Sequence, residues 1–222
     1  EKTYQKIRNF FANNIFRYLV FFSFVTTMLR SILMFWTAKL LADLGMNDIN
    51  AILNSSIFPF LGIIGTIFLG WYTDNKSAHG DRTKAMGIML CGLVFSVLII
   101  AILIPYRLQY QSLLIFFIGL SGFFLYGPYS MTSGCLALDI AGSEGAGTCT
   151  GVLDGIGYLG SALALWTVGW ISDTSGWSYV FYLLTLLAII SVFSCFRMSL
   201  LFRSTNKIIS DAPSQPLEVV YE

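Results

Sequence analysis

Six apolar stretches, 15–41, 51–72, 84–104, 111–137, 145–171 and 179–202, decide what solvent this chain folds in. A bilayer core of about 30 Å is crossed by about 20 apolar helical residues, and each stretch meets that length. Polar punctuation separates them: "ADLGMNDIN", "TDNKSAHGDRTK", "PYRLQY", "LDIAGSEGAG" and "SDTSGWS". Hydrocarbon offers a backbone no partners, so such runs satisfy their own N–H and C=O groups as helices. The expected fold is an all-α membrane protein with six transmembrane helices within 15–202. A linker at 1–14 precedes them, and a polar, disordered tail at 203–222, holding Pro213 and Pro216, follows. Composition agrees: 56% of residues are hydrophobic and 11% charged, against roughly one quarter charged in a soluble domain. A chain that begins at Glu1 rather than Met, with no signal peptide ahead of its first apolar run, is expected to be part of a longer or processed protein.

Lysine and arginine set the orientation, because cytoplasmic loops carry their excess. One side holds Lys2, Lys6, Arg8, Arg17, Lys76, Arg82, Lys84, Arg197, Arg203 and Lys207; the other holds only Lys39 and Arg107. Both termini are expected to be cytoplasmic. The identity of the membrane, plasma membrane or endoplasmic reticulum, is left open.

Several functional classes lose their support. A net charge of +1 gives no field for nucleic acid. His79 is the single histidine, and Cys91, Cys135, Cys149 and Cys195 are scattered through apolar sequence, so no metal site and no disulfide framework is expected. The cysteines read as small buried hydrophobes. Neither a P-loop nor a dinucleotide fingerprint is present, and no nucleophile and base are placed for catalysis. No enzyme activity and no cofactor are expected.

Arg30 breaks the first apolar run, "FVTTMLRSILMFW". At about 1.5 Å per residue it lies about 20 Å from the cytoplasmic end of its helix, near the midplane. Insertion of arginine there costs about 2.5 to 3.5 kcal/mol, and a helix keeps one that faces a partner or a watery cavity. A guanidinium stays charged and matches carboxylate or phosphate oxygens bidentately, so Arg30 is a candidate anion ligand; a structural ion pair is the alternative. Asp154, in "TCTGVLDGIGYLG", is the second charge within a span. It is open to three roles: partner of Arg30 in an empty site, acceptor for a substrate hydroxyl, or proton carrier. Tyr126, Tyr129 and Tyr158 are amphipathic groups able to bond a sugar or phosphate, or simply to pack. Lys39, near the outer end of the first span, is expected to snorkel. In "GWYTDNKSAHGDRTKAMG", Gly70 and Asp74 share a helix face and Arg82 opens the next helix. An acid facing bases across that loop can hold two helices together in one conformational state; a solvated, positive-inside loop is the plainer reading. The second stretch contains Pro59, which is expected to kink it.

"GWYTDNKSAHGDR" resembles, in thinned form, the G-x-x-x-D loop signature of the major facilitator superfamily. "LRSILMFWTAKLL", "LYGPYSM", "GTCTGVLDGIGYLGSAL" and "GWSYVFYLL" are similar to the seventh, tenth, eleventh and twelfth helices of its organophosphate:phosphate antiporters, a group of bacterial glycerol-3-phosphate and hexose-phosphate transporters and eukaryotic sugar-phosphate exchangers. The acid in "LDGIGYLGSAL" is nearest the exchanger branch. The resemblance covers nearly all of 16–202 and implies the C-terminal six-helix half of a twelve-helix fold, partnered by an N-terminal half in the same or another chain. In that family an arginine from the first helix of each half holds the substrate phosphate, which places Arg30 at one jaw of a clamp. The implied function is exchange of a phosphorylated metabolite, such as a sugar phosphate or glycerol-3-phosphate, for inorganic phosphate. Rocking of the halves would give alternating access. Where bacterial members carry polar residues in the second helix of this half, this sequence reads "SSIFPFLGIIG", so substrate contacts from that helix are not carried over. Two other readings remain: a proton-coupled porter for another organic anion, with Asp154 as the carrier, and a sugar-phosphate sensor or pseudo-transporter that binds without transporting.

Overall fold

The structure, a computed structural model, describes residues 2–76 and 82–211. A short amphipathic helix, α1 (Lys2–Ala12), leads into α2 (Asn14–Asp43), whose first turn is capped by the Asn13 side chain accepting from the Ile15 N–H at 2.8 Å. Then come α3 (Asp48–Ser55), α4 (Ile57–Lys76), α5 (Arg82–Leu103), α6 (Arg107–Met131), α7 (Ala137–Thr174) and α8 (Trp177–Asp211). The segment 1–14, read as a linker, is thus mostly helix. Likewise α8 continues past 203 to Asp211, although the sequence suggests a disordered tail there. α8 contains no proline, so no proline stops the helix at the membrane edge. Residues 212–222 lie outside those described, as does His79.

Among the described residues five helical runs are long and apolar enough to cross a membrane, and one of them, Gln109–Thr174, is 66 residues long. At about 1.5 Å per residue such a run would reach about 100 Å, more than three bilayer cores, so it doubles back. It does so through a π turn, Thr132–Leu136, and at Gly142, whose φ of 66° suits a residue without Cβ. The Thr150 hydroxyl donates to the Ser133 carbonyl at 2.7 Å, which fixes the returning chain beside the arriving one. The 111–137 stretch therefore falls in α6 and the π turn, and 145–171 in α7 beyond Gly142. The 51–72 stretch is split at Ser56 into α3 and α4. Pro59 has no N–H for the carbonyl of Ser55, four residues back, and its ring crowds that carbonyl; the break sits at that carbonyl.

The helices pack as two groups, α4 on α6 and α2 on α7 and α8, joined by α5, which packs on both α6 and α8. Lipid tails give helices no hydrophobic reason to associate, so contact rests on close approach and on hydrogen bonds. Both occur. A Cβ at Gly65 would lie 2.0 Å from the Phe123 carbonyl oxygen, and one at Gly122 2.0 Å from that of Phe58, so α4 and α6 meet backbone to backbone. Between α2 and α7, Ser23 donates to the Leu153 carbonyl at 3.1 Å and Ser31 bonds Ser161 at 2.6 Å, all buried. Cys149 and Cys195 are buried as expected, whereas Cys91 is exposed on the outer face of α5. An aliphatic-sized thiol suits lipid as well as core.

Candidate functional site

Three helices supply the site. On α2, Arg30 and Met34 are one turn apart; on α6, Tyr126 and Tyr129; on α7, Asp154 and Tyr158, each pair sharing a helix face. The Arg30 guanidinium lies over the Tyr129 ring, 4.8 Å from its centre, a cation–π contact. Arg30 Nη1 donates to the Met34 sulfur at 3.8 Å, and the Tyr126 hydroxyl donates to the same sulfur at 3.6 Å. Thioether sulfur is a weak acceptor, so it holds the two donors without quenching them.

Arg30 meets no carboxylate within ion-pair distance among the described residues. Its Nε is buried and has no hydrogen-bond partner there. A pairing of Arg30 with Asp154, one of the roles open from sequence, is not formed. Asp154 stands one turn from Tyr158 on α7, half-buried and without an ion-pair partner among the described residues. The arrangement is a cation beside two phenols, Tyr129 under the guanidinium and Tyr126 on the shared Met34 sulfur, with Met34 itself exposed. A tetrahedral anion with hydroxyl neighbours matches such a lining, since the guanidinium can meet two oxygens at once.

The second helix of the bundle contributes support rather than polarity. Phe58 is fully buried and meets Tyr126 edge to face, with ring centres 5.4 Å apart, and a Cβ at Gly62 would come within 2.5 Å of the Tyr126 ring. So Phe58 and Gly62 seat Tyr126 from α4. Tyr129, grouped in the sequence with Tyr126 and Tyr158 as an amphipathic group, is the one whose ring the guanidinium lies over. Its signal was its i+3 spacing from Tyr126.

Away from that face, Gly70, Asp74 and Arg82 are not brought together. Thr73 bonds the Gly70 carbonyl, Asp74 is exposed, and Arg82 pairs with Asp139 at the start of α7, 2.9 and 3.1 Å from its two oxygens. The acid that the loop reading sought lies 57 residues along the chain. At the opposite end of the bundle Lys39 bonds Asp43 at 3.0 Å and approaches Asp173 at 3.8 Å, between the rings of Trp36 and Trp177. The Trp177 indole N–H donates to the same Asp43 at 2.9 Å. Lys39 therefore ties α2 to α7 and α8 as well as reaching the surface. No group of three metal-ligating side chains occurs among the described residues.

Comparison with known proteins gives this geometry its setting. The family model described as Major Facilitator Superfamily matches residues 19–217. The chain is 32% identical over 148 residues to the "Membrane sensor protein UhpC" of Escherichia coli (strain K12), covering 67% of this chain and 33% of that protein. It is 29% identical over 182 residues to a "Probable hexose phosphate transport protein" of Chlamydia muridarum, covering 82% and 39%. It is 30% identical over 135 residues to "Sugar phosphate exchanger 3" of Mus musculus, covering 57% and 26%. The chain thus spans between about a quarter and two fifths of the length of these relatives.

Proposed function

The chain belongs to the Major Facilitator Superfamily, and on that premise we propose that it is the C-terminal six-helix half of a transporter exchanging a phosphorylated metabolite for inorganic phosphate. The observation that carries the reading is Arg30: a guanidinium within a membrane-length helix, unpaired with any described carboxylate, lying over Tyr129 and sharing the Met34 sulfur with Tyr126. The names of the Chlamydia and mouse relatives support a hexose or other sugar phosphate as the substrate class.

In this reading Arg30 binds the phosphate oxygens, Tyr129 holds the guanidinium in place, and Tyr126, Tyr158 and Asp154 meet the organic part. An anion lowers the cost of a fixed positive charge in low dielectric, so the loaded site reorients and the empty one does not; that asymmetry makes exchange obligatory. A second six-helix half, in the same or another chain, covers the open face and brings the opposing arginine. Six crossings put both termini on one side, the excess of lysine and arginine at that end supports the cytoplasm as that side, and Arg82–Asp139 tightens that end when the halves rock. The protein acts by transport and is not an enzyme.

A sensor that binds sugar phosphate without moving it is the second reading, favoured by the name of the Escherichia coli relative. Counterflow of labelled phosphate separates the two, in proteoliposomes preloaded with phosphate or glucose-6-phosphate and holding the complete protein that contains this chain. Exchange that falls sharply in Arg30→Ala and also in Arg30→Lys supports a bidentate clamp. Exchange untouched by either substitution removes Arg30 from the site, and ligand binding without flux in the parent favours the sensor.

A further inference from the structure

A groove of about 590 Å³ lies between the start of α2 and the last membrane turns of α8, lined by Asn14, Arg17, Tyr18, Phe21, Arg197 and Leu200. It is not part of the site around Arg30. Phe21 and Arg30 are nine residues apart, about two and a half helical turns, and so occupy opposite faces of α2. From this groove we propose a binding site for the phosphate headgroup of an anionic phospholipid, held between Arg17 and Arg197, with an acyl chain against Phe21 and Leu200.

Charge is the first argument. Arg17 and Arg197 are both exposed, and neither has a carboxylate within ion-pair distance among the described residues. Arg17 is oriented by the Asn14 side-chain oxygen. Arg197 lies over the Phe193 ring at 6.0 Å, one turn back along α8 toward the bilayer centre. An unpaired arginine near a helix end ordinarily extends to water; this one turns back along α8, over the Phe193 ring.

Position is the second. The Ser194 hydroxyl meets the Tyr18 carbonyl at 3.5 Å, which registers α8 against α2 so that the two arginines flank one cleft. Phe21 and Leu200 beside them are exposed apolar side chains, a surface that a free phosphate ion would leave bare and an acyl chain would cover. The sequence of α1, at the same end, holds Lys2, Lys6 and Arg8 and no acid, as suits a helix lying on an anionic leaflet. The volume falls in the range of small-molecule sites, about 300–1,000 Å³.

Native mass spectrometry of the detergent-purified protein, titrated with phosphatidylglycerol or phosphatidylcholine, tests the proposal. The expected result is retention of phosphatidylglycerol over phosphatidylcholine. Substituting both Arg17→Gln and Arg197→Gln should weaken phosphatidylglycerol binding by about ten- to thirtyfold, from two basic residues beside an anionic lipid. Each single Gln variant should lose severalfold, which covers the case of a double variant that does not purify, and Arg17→Lys with Arg197→Lys should keep most of the preference. Equal retention of the two lipids, or binding unchanged in the Gln variants, would overturn the site. Displacement of the lipid by inorganic phosphate or glycerol phosphate would overturn the lipid as its occupant.

Discussion

The Arg30 guanidinium carbon stands 4.8 Å from the centre of the Tyr129 ring, so the ring face and the Met34 sulfur together hold the cation. A cation over an aromatic face is stabilised by about 0.5 to 2 kcal/mol, the more so when desolvated. Tyr129→Leu should therefore weaken phosphate affinity by about three- to thirtyfold, while Tyr129→Phe, which keeps the face and drops the hydroxyl, should stay near the parent. Equilibrium binding of labelled phosphate measures both. A Phe variant as poor as the Leu variant would mean that the hydroxyl, not the ring, is what the site uses.

Arg30 was legible in the sequence because a lone cation in an apolar run is a local signal with a large cost attached. So were the membrane fold and the Pro59 break, which follow from run length and from one residue's missing N–H. What the sequence could not place was anything held across helices. Tyr129 looks like Tyr126 or Tyr158 until the packing of α2 against α6 selects it. Asp139 belongs to a stretch that reads as loop, so the partner of Arg82 was sought in Asp74, at the end of the preceding helix; proximity along the chain is a poor guide when helices a whole span apart pack together. Residues 203–211 are helix for a different reason, since polar composition does not by itself end a helix already propagating.

Arg82 and Asp139 connect the start of α5 to the start of α7 and are partly exposed, at 29% and 40%. A pair so placed is screened by solvent, and a coupling of about 0.5 kcal/mol is expected. A double-mutant cycle with Arg82→Gln and Asp139→Asn, read by thermal unfolding of the purified protein, should show each single change costing nearly as much as both together. Fully additive costs would mean that the pair is not formed in solution.

Asp154 is half-buried, with no ion-pair partner among the described residues, and its charge opposes that of a bound phosphate. Asp154→Asn should therefore preserve phosphate–phosphate exchange while altering competition by different sugar phosphates, because the amide keeps hydrogen bonding and removes the negative charge. Counterflow with and without an imposed pH gradient reads this. Uptake driven by the gradient in the parent, and lost in the Asn variant, would instead make Asp154 a proton carrier.

Gly65 and Gly122 are the points at which α4 and α6 approach most closely, each Cα facing a backbone carbonyl of the other helix. A methyl added at either position would sit 2.0 Å from that oxygen, and a carbonyl inside a helix cannot swing aside as a side-chain end can. The helices must separate, which disturbs the Phe58 contact that seats Tyr126. Overpacking of this kind costs about 1 to 3 kcal/mol, so Gly65→Ala and Gly122→Ala should each lower the unfolding temperature and weaken substrate binding together. Gly151, on α7, has no atom within 4 Å of an added Cβ. In the chain alone Gly151→Ala should be neutral or stabilising by up to about 1 kcal/mol, the difference in helix propensity. Thermal unfolding of the three variants, by intrinsic fluorescence in the same detergent, gives the comparison. Equal melting of all three would mean that α4 and α6 are not in backbone contact. Destabilisation by Gly151→Ala only in the complete protein would place another helix against α7 at that glycine.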